Sequence, residues 1–168
     1  ATFLTNHDQN RVISQLEGDE GKAKVAATWL LTSPGVPFIY YGEEIGMAGA
    51  KPDEDIRRPM QWASDEGPGV GFTSGRPWRD PADDYEERSV ALQDSDPDSL
   101  LNHYRSLIHL RNEQAALRVG DWIAVQTGAS KLYAFRDGIF EAMLHAYQTD
   151  PTMVAYGEEN RDWGGAFA

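Results

Sequence analysis

Thr2-Phe3-Leu4-Thr5-Asn6-His7-Asp8 and Val36-Pro37-Phe38-Ile39-Tyr40-Tyr41-Gly42-Glu43-Glu44 decide the fold class. Each is an apolar run that enters a polar turn, as a buried strand does at its C-terminal end. Between them, Asp19-Glu20 places acids where the positive end of a helix dipole lies, and Lys22 to Thr32 carries Val25, Ala26, Ala27, Trp29, Leu30 and Leu31. That apolar coverage is wide and predicts a helix packed against something large. Ser33-Pro34-Gly35 stops it. Strand, helix and strand with short links form a βαβ unit, whose parallel strands are ordinarily buried on both faces. The expectation is an α/β fold with its site at the C-terminal strand edge.

Outward from this unit, Ala48 to Pro97 is polar and rich in Gly and Pro, and reads as one large loop. Its later half is acidic, as a solvated surface is. Asp98 or Ser99 can cap a following helix, in which Leu100, Leu101, Tyr104, Leu107 and Ile108 share one face. Trp122 to Val125 and Leu132 to Phe135 read as a hairpin around Thr127-Gly128, after which the register breaks. Ile139 to Tyr147 reads as helical and Met153 to Tyr156 as a strand. No internal repeat or low-complexity tract is present.

The chain has 168 residues, length for about one domain, with a hydrophobic and charged makeup that excludes wholesale disorder. Its net charge of -12 would repel phosphate backbones and anionic lipid faces, so nucleic acid and membrane surfaces are excluded as partners. No apolar run reaches the roughly 18 residues of a membrane span. The absence of Cys removes disulfides, thiolate chemistry and cysteine zinc sites. It leaves localisation open between a cytosol and a secreted enzyme without bridges, with the cytoplasm favoured. Thr2 to Thr5 forms a strand without an initiating Met before it, so the chain is expected to be cut at its start.

Two strand-end groups can carry chemistry. Asn6-His7-Asp8 sets a carboxylate beside an imidazole, which can orient a polar substrate, and Glu43-Glu44 adds acids one helix away. Paired carboxylates are what glycoside hydrolysis requires. Equally, Asn6, His7 and Asp8 can satisfy loop backbone groups, and acids after Gly42 can cap the next segment. His7, His103, His109 and His145 lie too far apart for ligand spacing, so no metal is expected. Neither a Gly-rich phosphate loop nor a nucleophile elbow is found. Trp62, Phe72, Trp78 and Tyr85 can stack on sugar rings or simply pin the long loop.

Three segments together resemble the α-amylase family of glycoside hydrolases: Phe3-Leu4-Thr5-Asn6-His7-Asp8-Gln9-Asn10-Arg11, Gly35 to Met47, and Arg57-Arg58-Pro59-Met60-Gln61-Trp62. The last is closest to the α-glucosidase, oligo-1,6-glucosidase and intermediary α-amylase branches. The resemblance covers residues 1 to about 135. It implies a (β/α)8 barrel followed by a small β domain, with Phe3 to Thr5 on barrel strand seven, Phe38 to Tyr41 on strand eight, and the helix at 98 to 113 as the eighth. It divides the chain into a C-terminal barrel portion (1–118), the start of the β domain (119–136) and an α/β tail (137–168). It also implies that Asp8 stabilises the transition state, that His7 and Asn6 bind sugar hydroxyls, and that Arg57 holds the terminal sugar. An α-glucan oligosaccharide is then the substrate, and no cofactor is needed.

The family's nucleophilic Asp and acid/base Glu lie on strands four and five, which these residues do not include. A barrel needs about 200 residues or more, so the expectation is a C-terminal fragment that requires the missing N-terminal portion and is inactive alone. A non-catalytic α-amylase-like protein that binds sugar or a partner is the alternative, and the strand-four Asp and strand-five Glu discriminate the two. Residues 138 to 168 resemble the N-terminal part of a thiamine-diphosphate 2-oxo-acid dehydrogenase β subunit. A join of two coding fragments near Phe135 to Gly138 is the expectation they raise, with a divergent C-terminal domain of the amylase relative as the alternative.

Overall fold

The computed structural model describes residues 1–64, 67, 69–125 and 134–137. The chain divides into two compact units, Ala1–Leu110 and Arg111–Ala168.

The first unit opens with the βαβ arrangement. Strand β1 (Thr2–Phe3) pairs in parallel with β2 (Pro37–Phe38), with Thr2 opposite Pro37 and Phe3 opposite Phe38. A one-turn helix α1 (Val12–Gln15) and the longer α2 (Glu20–Thr32) lie between them in sequence. Asp19 caps α2 by accepting the Lys22 amide at 3.0 Å, so the acids at its start serve the role that the helix dipole assigns them. Both strands are shorter than the runs at 2–5 and 36–41 predicted. Nor are they buried on both faces: Phe3 is 46% and Phe38 58% exposed. A two-stranded ladder leaves two open edges and uncovered faces, and such a pair has little to hold it in extended form beyond the shared hydrogen bonds.

Ala23, Ala27, Leu30 and Leu31 form the buried side of α2, whereas Val25 and Trp29 stay exposed. The helix therefore buries a single stripe rather than most of its circumference. Ala23, Ala27 and Leu31 meet Ile13 and, from α5 (Leu100–Glu113), Leu100, Tyr104 and Leu107 in one core cluster. A buried Leu in such a cluster contributes about 2 kcal/mol from removed apolar surface. Ser99, not Asp98, caps α5, its hydroxyl accepting the Asn102 amide at 3.2 Å while donating to the Gln93 carbonyl at 2.8 Å. Leu100, Leu101, Tyr104 and Leu107 are buried as the spacing predicts, but Ile108 is turned to solvent.

The long segment 48 to 97 is more ordered than a loop reading implies. It contains helices α3 (Asp53–Ile56) and α4 (Val90–Gln93), each one turn long. Met60 joins Ile45, Met47 and Leu101 in a second core cluster, with Val90 packed against it. Polar groups supply the rest. Asp55 receives Arg58 and Arg79, Gln61 donates to the Arg88 carbonyl, and Gln93 donates to the Ile45 carbonyl and accepts from the Leu101 amide. Composition alone could not announce these bonds, because a Gly- and Pro-rich acidic stretch has the same makeup whether or not its side chains find backbone partners.

In the second unit, α6 (Ala115–Val119) precedes a hairpin of β3 (Trp122–Val125) and β4 (Ala134–Asp137). The pairing is antiparallel with Trp122 opposite Asp137 and Val125 opposite Ala134, and the rings of Trp122 and Phe135 stack at 5.7 Å. The hairpin stands where it was expected, but its return strand continues two residues past Phe135. Residues Arg136 and Asp137 keep the ladder, so the register does not break after Phe135. The turn at Thr127-Gly128, the helix at 139–147 and the strand at 153–156 lie outside the described residues.

Candidate active site

Asn6, His7 and Asp8 follow β1, at the C-terminal edge of the parallel pair. The Asn6 side chain accepts the Asp8 amide at 2.9 Å, which closes a tight turn and fixes where Asp8 leaves the strand end. Arg57 arrives from the end of α3, 49 residues later. Its Nη2 donates to Asp8 Oδ1 at 2.9 Å and its Nε to the His7 carbonyl at 2.8 Å. His7 Nε2 lies 3.4 Å from Asp8 Oδ2. The four residues to which the resemblance gives site roles therefore meet in one cluster, and each carboxylate oxygen of Asp8 has its own cationic or imidazole neighbour.

Asp8 and His7 are open to solvent, with side chains 62% and 66% exposed. Exposed ion pairs contribute only about 0 to 1 kcal/mol, so an incoming polar ligand can exchange for them at little cost. Sequence reading missed Asp53, which accepts from the same Arg57 Nη2 at 2.8 Å and pairs with Lys51. The Lys51 hydrogen bond, with Arg57 and His7 nearby, holds the Asp53 carboxyl below its ordinary range. The i, i+4 spacing of Asp53 and Arg57, which one helical turn brings together, was the available signal.

Beneath this cluster Arg11 is buried with its guanidinium over both Tyr40 and Tyr41, 4.7 Å and 4.8 Å from the ring centres. It donates to the Tyr41 carbonyl at 2.7 Å. Tyr40 and Tyr41 in turn donate to the carbonyls of Ile56 and Arg58, on either side of Arg57. The strand-end motif and the Arg57 segment are thus tied through the two tyrosines. Burial is the main cause that pushes the Tyr41 phenol up to about 12, so it stays a donor throughout the neutral range.

Glu43 and Glu44 do not join Asp8. They begin a single 3-10 turn (Glu43–Ile45). Glu43 is buried, accepting from Tyr104 Oη at 2.8 Å and from Thr5 Oγ1 at 3.3 Å. Burial pushes its carboxyl up to about 7, against the two hydroxyls that favour the ionised form, while Glu44 beside it adds to the rise. The ordinary value is 4.5, so the folded state holds this proton more tightly than the unfolded chain does. The resulting stabilisation is fully present below pH 4.5 and lost as pH rises through 7, by about 3 kcal/mol for this group. Glu44, also raised by burial, pulls the same way. Urea midpoints are expected to fall between pH 5 and 8, and to fall less in Glu43→Gln; equal slopes would contradict the buried-carboxyl account.

Of the aromatic residues of the long segment, Trp62, Phe72 and Trp78 are exposed and Tyr85 is half-buried. His103, on α5, is used structurally against Thr28 and the Lys24 carbonyl. The described residues contain no helix long and apolar enough to cross a membrane.

The chain is similar to α-amylase 3 of Dictyoglomus thermophilum, 39% identical over 81% of this chain and 27% of that protein. It is 32% identical to an oligo-1,6-glucosidase of Halalkalibacterium halodurans over 80% of this chain and 31% of that protein. Among solved structures, the α-amylase from H. orenii superposes with a TM-score of 0.68 at 44% identity, over 83% of this chain and 27% of that one. The chain spans less than a third of the length of each. None of these likenesses supports the thiamine-diphosphate resemblance of residues 138 to 168. The model described as the α-amylase catalytic domain matches residues 1–120, and the chain belongs to the α-amylase family, whose enzymes are (β/α)8 barrels.

Proposed function

We propose that the chain supplies the transition-state-stabilising side of a retaining glycoside hydrolase acting on α-glucosidic bonds of malto- or isomalto-oligosaccharides or starch. The observation that supports this most directly is the convergence of Asn6, His7 and Arg57 on Asp8 at the strand edge. A fixed carboxylate there attracts the positive charge that develops at C1 of the cleaved sugar, more strongly in the transition state than before it. His7 and Asn6 hydrogen-bond the sugar hydroxyls, and Arg57 holds the terminal sugar. Residues 1–118 serve as strands seven and eight of the barrel with their helices, and 119–136 as the start of a β domain. The nucleophile and the acid/base are assigned to strands outside these 168 residues.

Two measurements test the reading. The 168-residue chain alone is expected to hydrolyse neither maltose, isomaltose nor starch, because Asp8 cannot replace a nucleophile and an acid. The whole protein is expected to release α-anomeric glucose from maltose or isomaltose, followed by proton NMR before mutarotation. Turnover by the isolated chain that Asp8→Ala abolishes would overturn the division of labour. Oligosaccharide binding without turnover by the whole protein would favour a non-catalytic sugar-binding relative instead.

A further inference from the structure

Glu43 is a buried acid that the proposed mechanism does not use, and its surroundings are specific. It sits at the point where the end of β1, the turn after β2 and α5 meet. One carboxylate oxygen accepts from Thr5, which is buried, and the other from Tyr104, which lies in the main core cluster. Thr5 precedes Asp8 by three residues, and the Asn6 bond to the Asp8 amide leaves the intervening backbone little freedom. The remaining charged groups near Glu43 are Glu44 on its own turn and Arg11, which is stacked on the tyrosines.

We propose that Glu43 is a positioning residue for Asp8: by holding the Thr5 hydroxyl to Tyr104 on α5, it sets the height and direction at which the strand end presents the Asp8 carboxylate. The inference rests on the role given to Asp8 above and adds a residue to it. Thr5 alone would be held to β2 only through the short ladder at Thr2 and Phe3, which ends two residues earlier. The Glu43 bridge extends that hold past the last paired residue to the start of the Asn6 turn. The core anchors it from the other side, since Tyr104 belongs to the cluster formed with Ile13, Ala27 and Leu31. A shift of the carboxylate by a fraction of an ångström weakens a transition-state contact more than it weakens ground-state binding.

The test is a set of variants in the whole protein. Thr5→Val removes one hydroxyl and keeps the branched shape, and Glu43→Ala removes the bridge. Each is expected to lower kcat about tenfold to a hundredfold with KM moved by less than about threefold. Thr5→Ser and Glu43→Gln, which can still form the bridge, are expected to restore kcat to within about threefold of the parent. The double variant Thr5→Val/Glu43→Ala should be no worse than the poorer single one, since both cut the same link. If Glu43→Ala does not fold, Thr5→Val with its Ser rescue carries the test. Folded Thr5→Val with parental kcat, or no rescue by Ser, would overturn the proposal. Failure of the Asp8 role itself is distinguishable, because Asp8→Asn would then leave kcat intact. In that event the Asp8 amide NMR shift still decides whether the bridge positions the turn: it should move in Thr5→Val and return in Thr5→Ser, and an unmoved resonance would overturn the proposal.

Discussion

Asp8→Asn in the whole protein is expected to lower kcat by about a hundredfold to a thousandfold or more, with a much smaller change in KM. Asn keeps the size of the side chain and can still accept from Arg57 Nη2 and stand beside His7, so the cluster should persist. Only the negative charge is lost. Arg57 also keeps its second acceptor, Asp53, at 2.8 Å, which limits its tendency to swing away. A neutral amide still binds hydroxyls in the ground state but cannot match the charge that develops at the sugar carbon. Steady-state kinetics on maltose or isomaltose measures the effect. An unchanged kcat would remove Asp8 from the mechanism, whereas a rise in KM alone would recast it as a binding group.

The largest expected effect on stability comes from Gly42→Ala, at about 2 to 4 kcal/mol. Gly42 opens the turn after β2 with a φ of +80°, in the left-handed region that a Cβ disfavours. Its carbonyl accepts the amides of Ile45 and Met47, so the backbone cannot relax without breaking the turn. The added carbon would also lie 2.7 Å from Met47 Sδ and 3.1 Å from Arg11 Nη1. Met47 belongs to the second core cluster and Arg11 is bonded to the Tyr41 carbonyl, so neither yields freely. Gly35→Ala is the matched control. Its φ of +96° carries similar backbone strain, but nothing stands within 4 Å of the added carbon. Urea unfolding of the whole protein should place Gly42→Ala well below Gly35→Ala at similar m values. Equal losses would mean that backbone conformation alone, and not the packing around Arg11 and Met47, governs this turn.

Local chemistry made much of the molecule legible in advance. Helix α2 could be read from Asp19 and the apolar run behind it, and α5 from the spacing of Leu100, Leu101, Tyr104 and Leu107, because dipole, cap and period act over a few residues. Asn6-His7-Asp8 was legible as a cluster because its members are adjacent. Tertiary structure decided what lies far apart in sequence. It brought Arg57 over Asp8, closed Tyr104 on Glu43 across 61 residues, and ordered the 48 to 97 segment through side chains that bond to distant backbone. It also decided that β1 and β2 pair for only two residues each and that β4 runs to Asp137. Composition and periodicity carry no record of such pairings, since a carboxylate has the same local sequence whether it caps a turn, as Glu43 was expected to do, or is buried between two hydroxyls. Which of these happens depends on the elements that pack around it, and that is decided only when the whole chain folds.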